Sequence, residues 1–433
     1  MSTITIRRFP SRAILAAAVA AAIVGSMPSA ALAADTVDPL WYYNNYGVAE
    51  FAAEGFDGSG VKVAVIDSVI NPDVPQLAGA NLTVREPSFC ADWLENDDRS
   101  RVLPATSDVY YDSYHATNQV AFLVGNGKGP GGATAQLGVS PGADVTLYAI
   151  NSKPLDVTIE CETIGDYDSV SGKAIGMANA IAAAVDDGND IISIASPHGG
   201  PDPLLFEAVA HAVREGVVIL AARPNDMSQT QDIDIWGMNG VVTVQSMGAD
   251  GRIQAASAVA DLAIDVVGPG TGVVYTDGDF ETMGISSGTS EATAITAGYL
   301  AVVKSKYPDA TGNQLIQSLI TNTGLEDHEP VKDGQGFLGY GAVSLRHMLE
   351  NDPTTYDDVN PLVDTTDAAR PFVADIYPDG APGSTPDESE PGSDADTANI
   401  APIIIGGVIA LVVLLAIILV TVVLVRRSNR AAR

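Results

Sequence analysis

Cysteine is almost missing from this 433-residue chain, which holds only Cys90 and Cys161. That excludes a scaffold stapled by several disulfides. Two thiols without clustered histidines also make a poor metal site. Basic residues are scarce: 22 Lys and Arg stand against 54 Asp and Glu, for a net charge of -32. Such a surface repels a phosphate backbone, so nucleic acid is excluded as a partner. Its field favours cationic substrates or partners, in a salt-dependent way. No internal repeat of the solenoid or propeller kind is present.

Long apolar runs occur only at the two ends. Arg7, Arg8 and Arg12 precede the apolar stretch Ala13 to Val24, and Ala31-Leu32-Ala33 follows. This is the pattern of a secretory signal peptide over residues 1–33, cut between Ala33 and Ala34; a retained signal anchor is the alternative. Near the other end, Ile403 to Val425 is 23 residues without a charge. That length predicts one transmembrane helix over 403–425. Arg426, Arg427, Arg430 and Arg433 then place the tail, 426–433, in the cytoplasm. The expected product is a single-pass cell-membrane protein with its bulk outside the cytoplasm. There, Cys90 and Cys161 are expected to form one disulfide, with two free thiols as the alternative.

Residues 351–402 join bulk and membrane. Residues 351 to 400 hold 12 acidic residues, one arginine and seven prolines, a composition that cannot bury enough apolar surface to fold alone. An extended, self-repelling tether is expected there, although "PLVDTTDAARPFVADIY" has enough apolar residues to lie against a folded body.

The body, 34–350, alternates between two patterns. "VKVAVID" (61–67), "DVTLYAI" (144–150), "DIISIAS" (190–196), "VVILAA" (217–222) and "GVVTVQSM" (240–247) are nearly continuous apolar runs, as in strands covered on both faces. Between them lie helical stretches such as "GKAIGMANAIAAAVDDG", closed by Gly188, and "PLLFEAVAHAVREG". The alternation predicts an α/β fold with a mainly parallel sheet and helices on both faces. Sites in such sheets form at the carboxyl ends of the strands.

Asp67 ends the first strand, where it either caps a turn or serves a site. His115, in "SYHATNQVAFLVG", opens a helix that buries Val120, Ala121 and Val124. Ser290, in "ISSGTSEATAITAG", opens a helix that buries Ala292, Ala294, Ala297 and Leu300. Each has a structural reading alone; Ser290 is a plain helix cap on its own evidence. Together they are the three groups that nucleophilic catalysis needs. A serine hydroxyl requires a base near neutral pH, imidazole supplies it, and a carboxylate fixes the imidazole tautomer.

Three stretches carry a resemblance to a known family. "GSGVKVAVIDS", "HATNQVAFLVG" and "SGTSEATAITAG" are similar, in that order, to the aspartate, histidine and serine motifs of subtilisin-like (peptidase S8) serine proteases. The resemblance covers about residues 40 to 348. It implies a three-layer α/β/α fold and a serine endopeptidase that acts on protein or peptide substrates without a cofactor. By motif it implies Asp67 as orienter, His115 as general base and Ser290 as nucleophile. The whole layout resembles the mycosins, membrane-anchored peptidases attached to type VII secretion systems, and so implies subunits of a membrane secretion complex as partners. As in mycosins, residues 34–60 leave no room for a long folding prodomain.

The chain departs from the family pattern at several points. Ser68-Val69 follow the aspartate in place of Thr-Gly, Ala116 replaces a glycine, and Ala294 replaces a proline. The oxyanion asparagine usually ends an Ala-Ala-Gly-Asn stretch; here "LAARPND" places Asn225 one residue late, after Arg223-Pro224. The substrate-lining Ser-Leu-Gly appears as Ala195-Ser196-Pro197. The remaining histidines, His198, His211, His328 and His347, read as structural. The altered loops motivate a second reading, a weak or inactive subtilisin-like scaffold that stabilises a secretion complex.

Overall fold

The first strand dictates the architecture. In β1 (Lys62–Ser68), Val63 and Val65 point to one side of the sheet and Ala64 and Ile66 to the other, and all four are fully buried. A strand with two buried faces needs helices on both sides. The computed structural model describes residues 38–89, 103–151, 172–196, 202–226, 234–254, 259–366 and 368–380, and all of these fall in one compact unit. Cys90, Cys161, Pro197, His198, the signal region and the run 403–425 lie outside the described residues. Among the described residues no helix is long and apolar enough to cross a membrane.

The other strands are β2 (Leu82–Arg85), β3 (Asn126–Lys128), β4 (Thr134–Leu137), β5 (Asp144–Asn151), β6 (Ile191–Ile194), β7 (Val218–Ala222), β8 (Val242–Gly248), β9 (Val266–Asp277) and β10 (Thr282–Ser287). Eight of them form one sheet in the order β10-β9-β8-β7-β6-β1-β5-β2. Every neighbouring pair in it is parallel except the closing β9–β10 hairpin. The small β3–β4 ribbon stands apart. The runs read from the sequence at 61–67, 144–150, 190–196, 217–222 and 240–247 all hold strands of this sheet.

Nine α-helices surround it: α1 (Trp41–Asn44), α2 (Val48–Ala53), α3 (Tyr110–Val124), α4 (Gly172–Asp186), α5 (Pro203–Arg214), α6 (Thr289–Lys306), α7 (Gly312–Thr321), α8 (Leu345–Glu350) and α9 (Val373–Ile376), counted among the described residues. On one face α3, α6 and α7 share a core with Val63, Val65, Val145 and Leu147. On the other, α4 and α5 share a second core with Ala64, Ile66, Ile192 and Ile194. The result is the three-layer α/β/α arrangement. Helix α6 is buried at every residue from Thr289 to Val303, and its buried threonines return their hydroxyls to main-chain carbonyls: Thr293 to Thr289 O and Thr296 to Ala292 O.

Packing does not stop at 350, where the tether was expected to begin. Gln314 of α7 donates to the Thr354 and Tyr356 carbonyls, and Gln317 to that of Val359. Asn239, just before β8, donates its main-chain N–H to Arg370 O (2.7 Å) and its amide to Asp364 O (3.0 Å) and Pro371 O (3.1 Å). Ile376 of α9 is fully buried in the second core against α5. The acidic segment is therefore held along the amino ends of the strands at least as far as Ile376.

Candidate active site

Asp67 is the last but one residue of β1, at its carboxyl end, and is 1% exposed. A carboxylate buried there must be hydrogen-bonded. The Ser68 N–H donates to Oδ1, and His115 Nδ1 lies 2.8 Å from Oδ1 and 2.9 Å from Oδ2. An ionised carboxylate only accepts, so Nδ1 carries the proton. In the neutral ring Nε2 is then the bare nitrogen, the state a general base needs. The Ala116 N–H reaches Ser68 Oγ (3.4 Å) and the Asn71 N–H donates to Thr117 Oγ1 (3.0 Å). The serine that departs from the family motif thus helps tie the end of β1 to α3.

Burial by itself pulls the His115 imidazole towards neutrality. The Asp67 carboxylate, through its charge and its hydrogen bond, and then the charge of Glu291 outweigh that pull, so the pKa rises above 6.5. The Tyr114 ring stands edge-on to His115 at 6.3 Å between centroids, and Tyr275 packs on Tyr114 at 6.2 Å. These rings wall one side of the imidazole.

Ser290 is the second residue of α6 and is 7% exposed. The helix start reaches this place because β9 has no side chain in the way. A Cβ on Gly270 would overlap Gly288 O and lie 2.7 Å from Ala292 N, while the Gly288 N–H donates to Gly270 O (2.9 Å). Ser290 Oγ donates to the main-chain carbonyl of Ala195 (2.8 Å), just past the end of β6, and among the described residues no hydrogen bond joins it to His115. Of the three residues read as substrate-lining, Ala195 thus touches Ser290. Ser196 follows it, half-buried, beyond the end of β6.

Asn225 comes to the same place despite the altered loop. Arg223 turns inward and is fully buried; it donates to Val259 O (2.8 Å) and reaches Asp261 (3.5 Å). Its carbonyl accepts from the Thr289 hydroxyl. Asn225 Oδ1 accepts from the Thr289 N–H (3.0 Å) and lies 3.3 Å from the Thr289 hydroxyl. Because the amide oxygen takes the N–H, Nδ2 is the end left to donate. Nδ2 lies 3.4 Å from the point a Cβ on Gly288 would occupy, two residues before Ser290.

The sequence reading missed Glu291. It is 5% exposed, it accepts from the Ser286 hydroxyl at 2.6 Å, and its Oε2 lies over Gly288. The signal was present as the one acidic residue of this helix, directly after the candidate nucleophile. Of the histidines read as structural, His347 pairs with Asp327 (2.8 Å) and His328 with Thr323 (2.8 Å); His211 reaches Asp186 at 4.0 Å. Among the described residues no three His, Cys, Asp or Glu side chains converge to hold a metal ion.

The site therefore gathers a carboxylate–imidazole pair, a hydroxyl at a helix start and an amide donor at the carboxyl ends of one sheet. Comparisons with known proteins bear on the family and the fold. Residues 58–342 match the profile of the subtilase family, peptidase S8. Fervidolysin of Fervidobacterium pennivorans is 26% identical over 357 residues, 77% of this chain and 47% of its own. Subtilisin J of Geobacillus stearothermophilus is 30% identical over 284 residues, 62% of this chain and 63% of its own. The chain thus spans about half the length of the first and under two thirds of the second. The crystal structure of fervidolysin, described as a keratinolytic enzyme related to subtilisin, superposes with a TM-score of 0.56 at 23% identity, covering 73% of this chain and 46% of that one. A protease of Pseudoalteromonas arctica does so with a TM-score of 0.55 at 22% identity, covering 73% of this chain and 98% of that one. At such identities the two structures speak for the fold alone.

Proposed function

Because the chain belongs to the subtilase family, we propose that it is a serine endopeptidase that cleaves peptide bonds through an acyl-enzyme on Ser290. The observation that carries this reading is the two-oxygen grip of Asp67 on His115 Nδ1, which leaves Nε2 as the base. Ser290 Oγ turns from the Ala195 carbonyl to Nε2, gives up its proton and attacks the scissile carbonyl carbon. The new oxyanion is held by Asn225 Nδ2 and by the Ser290 main-chain N–H, which lies in the first turn of α6 and has no intrahelical acceptor. His115 then passes the proton to the leaving amine, and water repeats the sequence to free the acid. Asp67 holds the imidazole and stabilises its positive charge throughout.

The setting of the enzyme rests on the sequence. The signal peptide, the acidic tether, the uncharged run 403–425 and the arginine-rich tail support a domain anchored at the outer face of the cell membrane. Their order, like that of the mycosins, supports a link to a type VII secretion complex. Hydrolysis of unfolded casein by the purified chain, beside His115→Ala, tests the chemistry; peptide release by the first and none by the second is the expected result.

One observation favours a second reading. The Ser290 hydroxyl is engaged by a backbone carbonyl and not by His115. A scaffold that holds a secretion complex together does not need a free nucleophile. Undiminished secretion in cells carrying Ser290→Ala, with no casein hydrolysis by the folded native chain, would favour that reading.

A further inference from the structure

Glu291 is a buried acid that the proposed mechanism does not use. It follows Ser290 directly and is 5% exposed. One carboxyl oxygen accepts from the Ser286 hydroxyl of β10 at 2.6 Å. The other stands against the point that a Cβ on Gly288 would occupy, and Asn225 Nδ2 lies 3.4 Å from that same point. A carboxyl oxygen and the amide nitrogen of Asn225 thus stand around the same point, two residues before the nucleophile. Negative charge must develop on the tetrahedral intermediate at that amide. A second negative charge within a few ångströms, on a carboxyl that is itself 5% exposed, opposes it.

We propose that Glu291 is a charge-dependent brake on Ser290. Ionised, its carboxylate weakens the oxyanion site beside Asn225; protonated, it does not. The proposal rests on the peptidase reading for its consequence and on the geometry around Gly288 for its cause. It fits the electrostatics of the pocket. Burial raises the Glu291 carboxyl above its ordinary range, against the Ser286 hydrogen bond, its own main-chain N–H and the charge of His115. Conversely, the charge of Glu291 helps raise His115. Tyr114 of α3 and Tyr275 of β9 also feel this charge, and both are raised, by burial first. Asp67 faces His115 from β1.

Glu291→Gln keeps the shape and the Ser286 hydrogen bond while removing the charge. Glu291→Met serves as a second, apolar replacement. The full chain in detergent micelles is labelled with a fluorophosphonate across pH, and His115 is titrated by NMR in the same samples. In both variants we expect the acidic limb of the labelling rate to move to lower pH. At a fixed pH on the limb, labelling should then be faster than in the native chain. The plateau should be higher, and the His115 titration should move down with the limb. A native chain that labels, with limb, plateau and His115 titration unchanged in both variants, overturns the brake and leaves the peptidase reading standing. A native chain that does not label counts against the peptidase reading instead. His115 then decides alone: a lowered titration in the variants supports the coupling, and an unmoved one ends it.

Discussion

The two ends of the parallel sheet are finished by different means. At the carboxyl ends each critical side chain is supplied by a short motif and aimed by one or two bonds: Asp67 on His115, Ala195 on Ser290, Thr289 on Asn225. At the amino ends a long, acidic, proline-containing segment is laid across the body by side-chain amides: Asn239, Gln314 and Gln317 satisfy its backbone, its own Asn360 donates to Gly240 O of the body, and Ile376 anchors it. Chemistry demands particular residue types in fixed places, whereas holding a segment down demands only that its backbone groups find partners. The first end should therefore fail in rate, and the second in stability.

Substitutions can break that division, starting with the largest effect. Asp67→Asn removes the carboxylate that fixes the His115 tautomer and should lower kcat by about 10⁴-fold, with the thermal transition little changed. Asn225→Ala removes one oxyanion donor and should lower kcat about 100- to 1,000-fold at nearly constant KM. A KM effect alone would instead make Asn225 a binding residue. At the other end, Ile376→Ala should cost about 2 kcal/mol or more in denaturant unfolding while kcat stays unchanged. No change in unfolding would mean that the segment after 350 is a free tether.

The smallest effect is one of pH. The imidazole acts as a base only when neutral, and its partners raise its pKa above 6.5. Activity should therefore fall as pH drops through a limb lying above 6.5, seen in kcat/KM against pH. A limb below 6.5 would mean that Asp67 and Glu291 do not act on His115 as the geometry implies.

Much of this was legible in the sequence. Buried parallel strands need continuous apolar runs, so "VKVAVID" and "DVTLYAI" announced their places. Asp67, His115 and Ser290 stood out because catalysis needs those three types and each sits at an element end. Asn225 was harder: Arg223-Pro224 suggested a displaced loop, and only the inward turn of Arg223 towards Val259 and Asp261 shows how the amide still reaches Thr289. Glu291 was passed over because spacing marks a helix and says nothing about where a carboxyl folds back. The packing of 353–376 was hidden by its composition, since amide-to-backbone bonds leave no hydrophobic period to read.

The measurement that bears most directly on the whole account is fluorophosphonate labelling of the folded chain at a pH above the His115 limb, beside Ser290→Ala. The account predicts one covalent adduct on the native protein and none on the variant, because the hydroxyl is activated by the pair Asp67–His115. A folded native chain that takes up no label, or a variant that labels equally well, would contradict it.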